Sequence, residues 1–423
     1  MRPFVEKYGH RLTSSGHLSE TIPLSLDKEK ETLKTDISDG DEFSVMFDGS
    51  CRLGEVLAIV LRYIDTRWNI QQRLLKLETL AKSLKSQELA QRLIHCLAVE
   101  FSVHPELILC ATKDSAAVNE AALNQVKFYF SNLFSITCFN HVIDNAGKKF
   151  QFRILDTFIR HWNSMFSQSP AVRLAWKTKT GKVMRTTSAT RGIEDLAPAL
   201  HAHLLEIFDS PEDVADFKLE IADLIDALDG FAQIVQLGAY PNCTALSRER
   251  ANGNQVIFNQ LLERVKSCIK PGFQYYLNKV NIEFYDIMRA FRGARLCCPV
   301  QVQGLQPTIE SLELLRKFPF LDDDAIINGL GQELPNYLAL SDGVQVQTED
   351  DRVKWWARNA STLPKWAAVV RKILLVQPSS GAAERVFSLL NSTFSKGQET
   401  ALEETVEASI MLKYNSTQRG KAQ

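Results

Sequence analysis

The paired cysteine spacing of a disulfide framework or zinc finger is missing from this 423-residue chain. Its eight cysteines (Cys51, Cys96, Cys110, Cys138, Cys243, Cys268, Cys297 and Cys298) are scattered, and none precedes Cys51. That spacing excludes a disulfide framework and an N-terminal zinc finger, and leaves reduced, mostly buried thiols as the expectation. No apolar run approaches the roughly 20 residues needed to span a bilayer. Met1-Arg2-Pro3-Phe4 opens the chain without an apolar signal core, so no membrane partner is expected and the protein is placed in the cytosol or nucleus. A phosphate-cradling Gly-rich loop is absent, which argues against nucleotide-dependent chemistry. No Ser or Cys sits in nucleophile-elbow wording, so Ser-His-Asp and Cys-His hydrolysis have little support.

Acid is also missing locally. From Thr157 to Ile193 there is no Asp or Glu, while Arg160, Arg173, Lys177, Lys179, Lys182, Arg185 and Arg191 fall there with Trp162 and Trp176 among them. Such a patch can neutralise phosphates and stack on bases, so Lys177, Lys179, Lys182, Arg185 and Arg191 are candidate DNA contacts. A solvated basic loop between helices is the competing reading. The overall net charge of −1 excludes a uniformly basic binder. Arg289, Arg292 and Arg295 beside Phe291 form a weaker second cluster. The acidic runs Asp322-Asp323-Asp324 and Glu349-Asp350-Asp351 read as solvated loops or helix N-termini rather than metal sites.

Composition is that of an ordinary globular chain, 45% hydrophobic and 23% charged, long enough for two or three domains. Residues 1–40 are polar, with a short helix expected around Leu26 to Leu33, and read as a lead-in segment. Strand-like runs follow at Phe43 to Phe47, Glu55 to Ile64 and Ile70 to Leu77, with Asp48-Gly49-Ser50 read as a hairpin turn. Leu89, Leu93 and Leu97 mark a helix over Ser86 to Phe101. A short strand at Leu107 to Ala111 runs into Asp114, a helix is expected from Ala116 to Phe130, and Ile136-Thr137-Cys138 reads as a further strand. Three strands followed by helix, strand, helix, strand define an α/β class.

Near the C-terminus lies Pro378-Ser379-Ser380-Gly381-Ala382-Ala383-Glu384-Arg385-Val386-Phe387-Ser388. Ala383, Val386, Phe387, Leu390 and Phe394 recur at helical spacing, and Ser380, Glu384, Ser388 and Asn391 line the polar face beside them. Glu384 lies too deep in this helix to complete a capping box with Ser379 or Ser380. Preceded by Trp355, Trp356 and Trp366 and followed by Met411-Leu412-Lys413-Tyr414-Asn415, this wording resembles the C-terminal dimerisation region of hAT-family transposases. Cys138-Phe139-Asn140-His141 resembles that family's Cys-x-x-His motif.

The resemblance implies a ribonuclease-H-like mixed sheet interrupted by a large helical insertion and completed by C-terminal helices. The expected segments are a first ribonuclease-H-like part at 41–192, the insertion at 193–345, the dimerisation region at 346–415 and a tail at 416–423. In the insertion, Phe217, Ile221, Leu224, Leu228, Phe231 and Val235 form a long helical stripe. The implied function is DNA cleavage and strand transfer, with Asp48, Asp114 and Glu384 holding Mg2+ or Mn2+, Arg385 added to the DNA contacts, self-association through the C-terminal region, and a nuclear location.

Each carboxylate keeps a bland alternative: Asp48 as a turn residue, Asp114 as a helix N-cap, and Glu384 as a charge on the solvated polar face of an ordinary amphipathic helix. Cys138 and His141 are read as pocket-lining or positioning residues, because a single Cys-x-x-His pair is only half of a zinc site. One departure from the family stands out. After Ser188-Ala189-Thr190-Arg191 the family continues with a Trp, whereas here Gly192-Ile193-Glu194 follows. Without that aromatic partner for an unstacked base, and without a zinc finger, the alternative is a catalytically inactive, transposon-derived protein that dimerises and binds DNA.

Overall fold

The computed structural model describes residues 15–38, 40–50, 55–80, 82–149, 171, 174, 177–178, 253, 255–345, 348–394 and 403–422. The chain divides into two compact units, Met1–His141 with Phe284–Gln423, and Val142–Glu283.

In the first unit, β1 (Phe43–Ser50), β2 (Glu55–Ile64), β3 (Ile70–Leu80), β4 (Ile108–Lys113) and β5 (Phe134–Thr137) form one sheet in the order β3-β2-β1-β4-β5. The first three strands pair antiparallel, while β4 lies parallel to both β1 and β5. This is the mixed sheet of a ribonuclease-H-like fold. All six residues of β4 are buried because it is covered on both faces, which is why a continuous apolar run rather than an alternating one encodes it.

The Asp48-Gly49 turn expected from the sequence is not there. β1 continues through Ser50, with Asp48 paired to Ala58 and Gly49 to Leu57. The connection to β2 therefore falls at 51–54, outside the described residues. Residues 43–48 are all buried, so a side chain at the end of this run is held inside the fold.

Around the sheet, α1 (Ser15–Ser38), α2 (Ser86–Ile94, extended by a π-turn over His95–Glu100) and α3 (Ala117–Val126) belong to one hydrophobic cluster with β1, β2 and β3. The N-terminal segment thus forms part of the fold rather than leading into it: Leu26, Leu33 and Ile37 are buried in that cluster. A short helix was expected because only its buried stripe is apolar, whereas the helix itself runs 24 residues.

A second cluster is built on α6 (Tyr285–Ala294), α7 (Asp324–Ser341), α8 (Glu349–Asn359) and α9 (Pro364–Leu375), with Leu109 and Cys110 of β4 and Phe134 and Ile136 of β5. α4 (Phe139–Gly147) precedes these, as does α5 (Gln255–Asn278) in the second unit. Tyr337, Trp356 and Trp366 lie at its centre, each ring covered yet each donating to a backbone carbonyl, of Leu296, Cys297 and Leu330 respectively. Residues 284–345, expected within the insertion, therefore pack in the first unit. The apolar stripe around Phe217 lies outside the described residues.

α10 (Gly381–Thr393) and α11 (Glu403–Ala422) complete the first cluster. Of the apolar face expected on the last helix, Ile410 is fully buried and Val406 packs against the core, with Met411 and Tyr414 beside them; Leu402 lies outside the described residues. That face packs in the core. Asn415 locks it there: its amide oxygen accepts from Leu74 N at 2.8 Å, and its amide nitrogen donates to Leu74 O at 3.1 Å and Glu29 Oε1 at 3.0 Å. The strand bulges at that point, with Leu75 skipped between paired Leu74 and Lys76, so the side chain takes the place of a missing ladder partner.

Candidate active site at the strand ends

Three separate chain segments meet where β1, β4 and β5 end. β1 delivers Asp48 and β4 delivers Asp114 just past Lys113. From β5 the chain turns at Cys138 into α4, which carries His141 in its first turn.

The fourth contributor arrives from far along the sequence and is pinned by backbone bonds. Thr112 Oγ1 donates to Gln377 O at 2.7 Å, and Phe139 N donates to Pro378 O at 2.9 Å. Asn140 Nδ2 donates to Ser379 Oγ at 2.9 Å, and Ser380 N donates to Cys138 Sγ at 3.3 Å. Arg62 holds the preceding helix by donating from Nε and Nη2 to Leu374 O. Pro378-Ser379-Ser380 is thus seated on the β5–α4 corner. α10 begins one residue later, with Glu384 in its first turn. A carboxylate there is favoured by the positive end of the helix.

Asp48 is 94% shielded, with a relative exposure of 6%. Burial pushes its carboxyl up and the neighbouring Asp114 carboxylate adds to the rise. The Gly49 N–H bond and His141 oppose it, Glu384 raises it further, and the result is about 7. Of the three carboxylates predicted from sequence, Asp114 and Glu384 therefore both act electrostatically on Asp48. Asp114 is not the N-cap of α3, a position taken by Ala116, but makes a turn just before it. Its Oδ1 accepts from Ala116 N at 2.9 Å and from Asn119 Nδ2 at 2.5 Å, ordering the approach to α3. Both bonds use one oxygen, so local turn chemistry and a place in the site are compatible.

Cys138 and His141 form a close pair with Glu384: one ligand atom from each lies within 4.8 Å of the others. Burial raises the Cys138 thiol, but hydrogen bonds with His141 and Ser380 outweigh it and bring it down to about 6. His141 is pushed up to about 9, first by its bond with Cys138, against the effect of burial, and then by the charges of Cys138, Asp48 and Glu384. Near neutral pH the pair is a thiolate beside an imidazolium.

Residues that the sequence reading passed over support the site. Lys113 is fully buried, with Nζ at 2.6 Å from Glu120 Oε2, 3.0 Å from Thr137 Oγ1 and 3.3 Å from the carbonyl of Asp114. A lysine ending an otherwise apolar strand is the sequence signal for it, since a buried ammonium requires a built partner set. Among the predicted DNA contacts, Arg385 is exposed and donates to Gln72 Oε1 at 2.9 Å. Lys177 is exposed in the second unit. Lys179, Lys182, Arg185 and Arg191 lie outside the described residues, as does the Ser188–Arg191 segment where the family's Trp is missing. The acidic runs behave as expected. Asp323 caps α7 through Ala325 N at 2.7 Å, and Thr348 and Asp351 form the reciprocal cap of α8.

A mixed sheet in this order, with acidic residues gathered where the parallel strands end, defines a ribonuclease-H-like protein. Comparison places it more narrowly. Residues 333–416 match the family model of the hAT family C-terminal dimerisation region, and residues 49–150 match that of the ZBED1 RNase-like domain. Together the two matches are consistent with an hAT-family transposase-like protein that carries a dimerisation region. No curated protein matches the chain significantly.

Proposed function

We propose that this is an hAT-type transposase, or a direct descendant of one, which cleaves DNA and transfers its strand ends in the nucleus with the help of divalent metal ions. The observation that carries the reading is the Asp48 carboxyl, held near 7 by burial together with the negative charge of Asp114 and Glu384. Three acids gathered from β1, β4 and α10 without a neutralising lysine or arginine as the principal partner of Asp48 are costly unless a cation compensates them.

Asp48, Asp114 and Glu384 are the residues that would hold Mg2+ or Mn2+. Bound there, the ions would lower the pKa of an attacking hydroxyl and offset charge at phosphorus. The protein's own groups divide the remaining work. Ionised Asp48 orients the nucleophile's oxygen. His141, protonated at neutral pH, donates to a phosphate oxygen and balances the carboxylates. Arg385, one residue beyond Glu384, faces solvent and can meet the DNA backbone. The C-terminal region supports self-association.

A catalytically silent descendant that dimerises and binds DNA is the second reading, favoured by the continuation Arg191-Gly192-Ile193 where the family has a Trp. The deciding experiment is Mg2+- or Mn2+-dependent cleavage of duplex DNA carrying the element's own ends, comparing the protein with Glu384→Gln. Cleavage lost in the variant supports the enzyme. No cleavage by either protein, with DNA binding retained, supports the silent form.

A further inference from the structure

We propose that Cys138, His141 and Glu384 form a second cation site, selective for zinc-class ions, and that it competes with the carboxylate set for Glu384. The site stands on geometry alone; only its consequence for cleavage rests on the function proposed above.

A thiol sulfur, an imidazole nitrogen and a carboxylate oxygen lie within 4.8 Å of one another. Tetrahedral zinc, with bonds of about 2.0–2.3 Å, sets its ligands about 3.3–3.8 Å apart, so closure of no more than about 1.5 Å is needed. Two of the three ligands are fixed. Cys138 N donates to Lys113 O at 2.7 Å and its sulfur accepts from Ser380 N, while His141 follows on the first turn of α4 at Cys-x-x-His spacing. Glu384 is exposed in the first turn of α10 and has the rotamer freedom to close the gap.

A second observation points to a ligand. His141 Nδ1 is shielded from solvent and has no hydrogen-bond partner among the described residues. An orphaned buried ring nitrogen is costly, and a metal satisfies it by displacing the imidazolium proton to solvent. The donor set decides which metal. Thiolate plus imidazole selects zinc, cobalt or copper(I) over magnesium, which takes oxygen ligands. Three protein ligands leave the fourth position to water or a phosphate oxygen. Glu384 cannot serve this site and the carboxylate set at once, so zinc withdraws the third acid from Asp48 and Asp114.

The test uses Co2+ as a spectroscopic stand-in for zinc, titrated into the full chain. A thiolate-to-cobalt charge-transfer band is expected, saturating at one ion per chain and displaced by zinc. Cys138→Ser should abolish the band. Glu384→Gln should weaken cobalt binding by more than the roughly 10–100-fold that loss of a mere outer-shell partner costs. Cys298→Ser should leave the band unchanged, separating this thiol from the neighbouring pair Cys297-Cys298. An absent band, or one that survives in Cys138→Ser, overturns the site. In the second arm, stoichiometric zinc should suppress Mg2+-dependent cleavage, with its midpoint moved by at least about tenfold in Cys138→Ser; cleavage insensitive to zinc overturns the competition. If the protein forms the band and cleaves nothing, the site stands and the enzymatic reading falls.

Discussion

Replacing Asp48 with Asn should stabilise the protein, and by an amount that grows with pH. The carboxyl has an ordinary value of 3.8 and lies near 7 in the fold. A folded value above the unfolded one means that the native state binds the proton more tightly. Its favourable contribution is complete below about pH 3.8 and is lost as pH rises through about 7. Integrating those two values gives a destabilisation from the ionised group of about 1.7 kcal/mol at pH 5 and about 4 kcal/mol at pH 8. Asn keeps the shape and removes the charge, so the advantage of Asp48→Asn over the parent should increase by about 2.5 kcal/mol between pH 5 and pH 8. Urea unfolding followed by tryptophan fluorescence, at fixed ionic strength and at several pH values, measures it directly. Mg2+ supplies a second, opposite signature. At about 100 times its Kd it should stabilise the parent by about 2.7 kcal/mol and the variant hardly at all. A difference between parent and variant that stays flat from pH 5 to pH 8 would refute the reasoning, because burial and the neighbouring carboxylates would then not raise the Asp48 carboxyl.

Two further outcomes are expected. Asn415→Ala should destabilise the chain by roughly 2–6 kcal/mol, since it strands Leu74 N and Leu74 O at about 1–3 kcal/mol for each buried group left unpaired, while Glu29 keeps its bonds from Arg419; denaturant unfolding checks it, and a loss under about 1 kcal/mol would mean that water reaches the bulge. His141→Gln should raise the Cys138 thiol from about 6 toward its ordinary value of 9.0, because the principal lowering bond is gone while burial remains. The Cys138 thiolate, read by its carbon shift in NMR across pH, should then be a minor form at neutral pH; a thiol still ionised there would show that Ser380 alone holds the charge.

The sequence disclosed the elements best where burial and pattern coincide. β2, with Val56 to Leu61 all buried, reads correctly from its Val, Leu and Ile content. It misled where two local signals agree on the wrong answer: Asp48-Gly49 is strong hairpin wording, but cross-strand pairing to Ala58 and Leu57 carries the strand through it. The carboxylates were legible only through resemblance, because nothing in the spacing of Asp48, Asp114 and Glu384 announces their meeting. What brings them together is the docking of Gln377 to Ser380 on Thr112, Phe139 and Cys138. Those are bonds to backbone atoms or from them, and such bonds leave little trace in side-chain identity. Lys113 and Asn119 were missed for a related reason: each is an ordinary polar residue until its buried partners are known.

The position of α11 bears on how the chain associates with itself. The C-terminal segment matches a dimerisation region, yet the apolar face of its last helix is spent inside the monomer, with Ile410 and Met411 fully buried. Arg419 extends the attachment, donating to both oxygens of Glu29 at 2.9 and 3.1 Å and to Asp36 at 2.9 Å, while Arg73 reaches Asp36 from β3 at 2.8 Å. A face that covers β3 and α1 cannot also cover a second subunit without exposing the core it protects. Removing α11 would therefore unfold the first cluster before it tested dimerisation, and what α10 and α11 leave for a partner is their outer surface, where Ser388, Asn391, Leu412 and Lys413 are exposed. The same argument ties association to the site. α10 is clasped between Glu384 at its first turn and the core contacts of Val386, Phe387 and Leu390. Any partner seated on its outer face bears on the helix that aims Glu384.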